Sequence, residues 1–139
     1  MNPQKLVRVR DIMKTEFDRI DGIVTIAEAL RQMKHPEVRC LIVNKRHADD
    51  EFGMLFLMDI ARHVLAKERS PERVNVYEIM VKPVLTVPPK MDIRYCARIL
   101  DRFNVLRAPV IENDDVIGIV GFSDLVLRGM DQYCCKEQQ

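Results

Sequence analysis

The stretch Arg107-Ala108-Pro109-Val110-Ile111-Glu112-Asn113-Asp114-Asp115-Val116-Ile117-Gly118-Ile119-Val120-Gly121-Phe122-Ser123-Asp124 decides the fold. Residues 108–112 and 116–120 are two short apolar, β-branched runs. Between them, Glu112-Asn113-Asp114-Asp115 is hairpin-turn chemistry, because Asn and Asp side chains bond their own backbone and tolerate left-handed conformations. The runs therefore read as antiparallel strands. Ser123-Asp124 then starts a helix carrying Leu125, Val126 and Leu127. Upstream, Val84-Leu85-Thr86-Val87 is a β-branched strand closed by Pro88-Pro89. Ile93, Cys96, Ala97 and Leu100 follow with the i, i+3, i+4, i+7 spacing of a helix. The order is strand, helix, strand, strand, helix.

The same order stands earlier in the chain. Val9-Arg10-Asp11-Ile12-Met13 returns as Val76-Tyr77-Glu78-Ile79-Met80, an offset of 67. Arg39-Cys40-Leu41-Ile42-Val43 returns as Arg107-Ala108-Pro109-Val110-Ile111 at 68, and Gly53 and Asp59 return as Gly118 and Asp124 at 65. On this alignment the second copy gains one residue before its first long helix, and the first copy carries three more between residues 44 and 51. In copy one, residues 20–24 form a weak strand, Ile26, Ala29, Leu30 and Met33 a helix, residues 40–44 and 53–57 two strands, and residues 59–67 a helix. Lys67-Glu68-Arg69-Ser70-Pro71-Glu72-Arg73 is the connector. The period is too long for a common solenoid, so two copies sharing a core are expected. The boundaries read as 7–68 for the first repeat, 74–130 for the second and 131–139 for a polar tail.

Composition sets outer limits. The 139 residues are 47% hydrophobic and 31% charged, which suits one globular chain with a real core. Lys and Arg total 22 against 21 Asp and Glu, a balance that argues against nucleic acid or an anionic membrane as partner. No apolar run approaches the roughly 20 residues of a membrane span. The N-terminus lacks the apolar segment of a signal peptide, so a cytoplasmic protein is expected. Cys40 and Cys96 fall on apolar positions and read as core. Cys134 and Cys135 are adjacent in the tail, but His35, His47 and His63 offer no ligand spacing, so no metal site is expected. No phosphate-binding glycine loop, Cys–His pair or Ser–His–Asp set is present, and the chain does not read as an enzyme.

With its repeats in this order, the chain resembles a tandem pair of CBS domains, named after cystathionine β-synthase and also called a Bateman module. The residues that carry the likeness are the Val-x-Asp-Ile-Met type of start in both copies, Leu85-Thr86-Val87-Pro88, Arg107-Ala108-Pro109-Val110-Ile111, and Gly118-Ile119-Val120-Gly121-Phe122-Ser123-Asp124. The resemblance covers residues 7–129 and implies an α+β fold of two pseudo-symmetric β-α-β-β-α units packed through their sheets. It implies a stand-alone pair of the bacterial type that regulates and does not catalyse. It implies an adenine-containing ligand (AMP, ADP, ATP, S-adenosylmethionine or NAD) in clefts between the repeats. No cofactor is required; the adenine nucleotide is the regulatory ligand. The further implications are a homodimer, arranged as a disk of four units, and an unidentified protein partner acted on in trans.

The resemblance also points to residues. Asp124 and Asp59 hold the acidic place that bonds ribose hydroxyls, since a carboxylate accepts both protons of a cis-diol. Each also reads simply as a helix N-cap. At the motif's hydroxyl position copy two has Gly121 and copy one Phe56, which favours a site in copy two and one nucleotide per chain. Ser123 either substitutes for the hydroxyl or caps the helix. Thr86, whose counterpart is Arg19, meets the ligand after the first strand or is an ordinary strand residue. Arg107 and Arg39 reach phosphate or are solvated strand ends. Arg62, His63 and Arg128 either neutralise a polyphosphate or solvate a helix face. Val87, Ala108 and Pro109, with Val84 and Leu85, line the adenine or belong to the core.

Overall fold

In the computed structural model, which describes residues 6–135 (side chains 6–132), the decisive stretch is a hairpin of β4 (Arg107–Glu112) and β5 (Asp115–Gly121). Its register runs from Arg107 opposite Gly121 to Glu112 opposite Asp115, with an irregularity between Val110 and Ile111. Asn113 and Asp114 have φ of 52° and 62°. Two consecutive left-handed residues are what a two-residue hairpin loop requires, and Asn and Asp adopt that conformation at low cost.

The first half holds β1 (Asp18–Ile20), β2 (Cys40–Val43) and β3 (Gly53–Phe56). β1 runs parallel to β2, and β3 antiparallel to it. The strand expected at residues 20–24 lies earlier, at Asp18–Ile20, and a turn closed by the Val24 N–H on the Asp21 carbonyl ends it. The strand expected at residues 84–87 is reduced to one parallel bridge, Val87 with Val110. The Val87 N–H bonds the Pro109 carbonyl and the Ile111 N–H bonds the Val87 carbonyl. The next ladder bond backwards would come from an N–H at position 109, and proline has none.

Two longer helices cover the sheets. Thr25 caps α2 (Ile26–Gln32) by accepting the Glu28 N–H, and Asp92 caps α5 (Ile93–Arg102) by accepting the Arg94 N–H. After β3, α3 (Leu57–Ile60) widens into i→i+5 turns over Ala61–Leu65, seen in the Ala66 N–H bond to Ala61. After β5, α6 (Phe122–Asp124) continues in the same wide form over Leu125–Cys135. The helix therefore takes in the first residues of what reads as a polar tail. The side chains of Cys134 and Cys135 and the rest of that tail lie outside the described residues.

Hydrogen-bond register corrects the alignment of the repeats. Cys40 pairs with Phe56 as Arg107 pairs with Gly121, and Ile20 meets Val43 as Val87 meets Val110. The offset is 67 through the helices and sheets and 65 after the hairpin loops, so copy one has two extra loop residues, not three. The counterpart of Arg107 is Cys40, and Arg39 falls opposite Leu106.

The spatial units are not the sequence repeats 7–68 and 74–130. One is Glu16–Val84; the other joins the N-terminal residues through Thr15 to those from Leu85 onward. Each copy gives its leading turn to the other's unit. α1 (Val9–Ile12) joins the second copy through Val9 N–H to Met91 and Arg10 N–H to Pro89, and through paired bonds between Lys14 and Ile119. α4 (Val76–Ile79) joins the first copy through Val76 N–H to Val24 and paired bonds between Val81 and Met54. The cores follow this exchange. Val9 and Ile12 are buried with Leu100, Ala108, Val120 and Leu125. Val76 and Ile79 are buried with Ile26, Leu41, Leu55 and Val64. A large aliphatic side chain so buried contributes about 1.5–3 kcal/mol, which is ample to hold a one-turn helix with little stability of its own.

Candidate functional site

The start of α6 brings together Gly121, Ser123, Asp124 and Arg107. Asp124 is the third residue of that helix and Gly121 is its N-cap, so the aspartate is not itself the cap. Its Oδ2 accepts the Gly121 N–H at 3.1 Å, and its Oδ1 pairs with the Lys14 ammonium at 3.1 Å. Asp124 is buried, and the lysine is about one-third exposed. Asp59 stands in the equivalent place on α3 and accepts the Phe56 N–H at 3.3 Å. It is half-buried, and among the described residues it has no ion pair. Val81 occupies the place in its unit that Lys14 holds in the other.

Gly121 leaves room for protein. A Cβ built there would lie 3.0 Å from Arg107 Cγ and 3.2 Å from the Leu106 carbonyl oxygen. The Arg107 stem therefore lies across the glycine, bringing its guanidinium to the helix start that Asp124 closes. Arg107 is half-buried and has no ion pair among the described residues. Arg128 follows one turn later and donates to the Met13 carbonyl at 3.3 Å. Ser123 and Thr86 are exposed. Val87, Ala108 and Pro109 are buried, the first two inside the hydrophobic core.

In the other unit the corresponding places are apolar. Cys40 replaces Arg107, Phe56 replaces Gly121 and Val81 replaces Lys14. Cys40 is 1% exposed. Arg39 has a left-handed backbone with φ of 72° and is exposed; its carbonyl accepts the Leu57 N–H. The two units thus share the carboxylate and differ in the cations around it. Lys14 escapes a sequence reading because it sits in the leading segment of the opposite repeat, and no spacing within its own repeat singles it out. Cys96 is fully buried, and burial pushes its thiol up to about 11, consistent with a core residue. Among the described residues no three metal-ligating side chains converge, and no helix is long and apolar enough to cross a membrane.

Comparison with known proteins adds a family. The model of the CBS domain matches residues 76–131. The chain is 27% identical over 122 residues to the CBS domain-containing protein YhcV of Bacillus subtilis, spanning 88% of this chain and 85% of that one. Two other curated relatives are longer, and the chain spans 58% and 50% of their lengths. Among solved structures it is similar to a hexameric CBS-CP12 protein from bloom-forming cyanobacteria, with 34% identity, a TM-score of 0.86, and coverage of 92% of this chain and 74% of that one. The CBS domain pair of protein MJ0100, solved with 5′-methylthioadenosine and S-adenosylmethionine, shares the fold at 22% identity and a TM-score of 0.76, over 92% of this chain and 99% of that one.

Proposed function

The chain belongs to the CBS-domain proteins as a tandem pair, and from that premise we propose that it is a regulatory module whose ligand is an adenine nucleotide held by the unit of β4 and β5. The observation that carries the reading is the junction at Gly121. There Asp124, Lys14 and Arg107 meet at one helix start, a carboxylate for a ribose beside two cations for phosphate. Ser123 adds an exposed hydroxyl at the same helix start, the exposed Thr86 is the hydroxyl we assign to the ligand after the first strand, and Val87, Ala108 and Pro109 fix the strands beneath. The adenosyl ligands of the MJ0100 pair support the adenosine part of the reading. The local charge favours a phosphate over the sulfonium of S-adenosylmethionine, because a second cation near Lys14 and Arg107 is repelled. The nucleotide-dependent state is read by a protein partner in trans.

A second reading has its own observation. Both carboxylate oxygens of Asp124 already have protein partners, and the space at Gly121 is filled by Arg107. A scaffold whose ligand site has degenerated would look like this. A thermal-shift screen with AMP, ATP, S-adenosylmethionine and NAD separates the two. Native-state binding at 100 times the dissociation constant adds about 2.7 kcal/mol to stability. AMP or ATP is expected to raise Tm; no response to any of the four leaves the scaffold reading.

The helix faces support a self-associating chain. Leu65 is 76% exposed, Leu127 74% and Val126 51%, while their neighbours Val64 and Leu125 are buried. Apolar faces of this kind mark interfaces, and a two-fold dimer is the commonest closed solution. Light scattering at micromolar concentration is expected to give at least a dimer, and Leu127→Glu to lower the mass. A monomeric mass for the unaltered chain contradicts this.

A further inference from the structure

We infer that the Glu16–Val84 unit carries a second ligand site, a cleft of about 670 Å³ suited to a small organic anion with a planar apolar body. It opens where β1 and β2 end, at the other end of the sheet from Asp59. Gly22, Val43 and Met80 form its floor, Tyr77 and Ile23 flank it, and Asn44, Arg46 and Lys82 supply its polar lining. The volume falls in the range of small-molecule sites.

The polar end is built around Asp50. Its Oδ2 accepts from Lys82 Nζ at 2.8 Å, Arg46 Nε at 3.0 Å and the Arg46 N–H at 2.9 Å. The bonds from Arg46 and then Lys82 hold this carboxyl far below the usual carboxylate range, so it stays charged and clamps both cations in place. The Asp50 side chain is 7% exposed, whereas that of Arg46 is 73% exposed. One buried carboxylate thus braces two cations, and the lining itself contains no acidic side chain. Asp21 lies behind Asn44, bonded to its amide at 2.9 Å, and does not line the cleft. Arg46 spends its Nε and one Nη2 bond on Asp50, and its remaining N–H donors with the adjacent ammonium recognise a phosphate or a carboxylate. Tyr77, 56% exposed, and Ile23, 76% exposed, offer apolar area for the body of such a molecule.

The internal repeat supplies a control. The Tyr77 N–H bonds the Gly22 carbonyl just as the Arg10 N–H bonds the Pro89 carbonyl. At the matching place in the other unit, Pro89 replaces Gly22, and Arg10 replaces Tyr77 and pairs with Glu112 at 3.1 Å. Thr15 replaces Lys82, and the hairpin that bears Arg46 and Asp50 is two residues shorter there. The cleft therefore belongs to this unit's own residues and not to the repeat.

The probes are phenyl phosphate, benzoate, phenol and inorganic phosphate, titrated into the full chain and followed by amide chemical shifts. Phenyl phosphate or benzoate is expected to shift the amides of Gly22, Asn44, Arg46, Tyr77 and Met80 saturably, and the stronger of the two names the headgroup. Phenol and inorganic phosphate are expected to bind at least tenfold more weakly, since each lacks one half of the ligand. Arg46→Gln and Lys82→Gln should each weaken the aromatic anions about tenfold, and Tyr77→Ala should weaken them without changing inorganic phosphate. Arg46 is exposed enough that its variant keeps the fold. Shifts confined to residues 107–124, affinities unchanged in Arg46→Gln, or no saturable shift with either aromatic anion would overturn the site. The nucleotide reading is untouched by any of these results, because it rests on the other unit's amides.

Discussion

Gly118→Ala is expected to destabilise the protein by about 2–3 kcal/mol, near the upper end of overpacking costs, and to lower Tm by roughly 6–12 °C. A Cβ at this position would lie 2.5 Å from Met13 Sδ and 2.9 Å from the Lys14 carbonyl oxygen. A methionine side chain can swing away, but the Lys14 carbonyl cannot without breaking its bond from the Ile119 N–H. The backbone of Gly118 is not left-handed, so the effect is one of space and not of glycine's conformational freedom. Gly53 is the internal control. There a Cβ would meet Met80 Sδ at 3.1 Å and the Val81 carbonyl at 3.2 Å, contacts that a few tenths of an ångström relieve. Gly53→Ala is expected to cost about 1 kcal/mol or less. Urea denaturation of the two variants compares them. Equal costs would mean that the leading segment of the chain does not press on β5 as described.

Asp124→Asn is expected to act twice. Asn keeps an oxygen to accept the Gly121 N–H but loses the charge that pairs with Lys14. Stability should fall by about 1.5–2 kcal/mol, the low part of the range for hydrogen bonds to charged groups because Lys14 is partly solvated. Nucleotide affinity should fall by about 1.5–3 kcal/mol if the carboxylate holds the ribose. Asp59→Asn should cost less in stability, since Asp59 is half-buried and has only the Phe56 N–H to satisfy, and it should leave nucleotide affinity nearly unchanged. Denaturation without ligand and titration with it separate the two effects. Loss of stability without loss of affinity would make Asp124 a purely structural carboxylate.

Local signals in the sequence were strong where the physics is local. The hairpin at residues 107–121 is legible because Asn113 and Asp114 are among the few residues that accept left-handed backbone, and because apolar runs flank them. The helices that begin after Thr25 and Asp92 are legible from their apolar spacing, and the structure adds the two caps. Register was not legible. Arg39 and Arg107 look alike beside similar apolar runs, but hydrogen bonds place Cys40, not Arg39, opposite the next strand's end. That one-residue slip hid the difference between the units, because it gave each an arginine that only one has in that place. The exchange of leading helices was hidden for another reason. α1 and α4 have four residues each, too few for a periodic signal, and their positions are set by distant partners such as Met91 and Val24. Lys14 could not be found without that exchange. The first strand of copy two is shorter than its β-branched composition predicts, because that composition says nothing about Pro109, one strand over, having no N–H to give.

The claim that one unit alone holds an adenine nucleotide is tested most directly by calorimetric titration of AMP and ATP into the unaltered chain. One nucleotide per chain is expected, with affinity lost in Asp124→Asn and kept in Asp59→Asn. Two nucleotides per chain of similar affinity, or none, would contradict the assignment of the site to the junction of Lys14, Arg107 and Asp124.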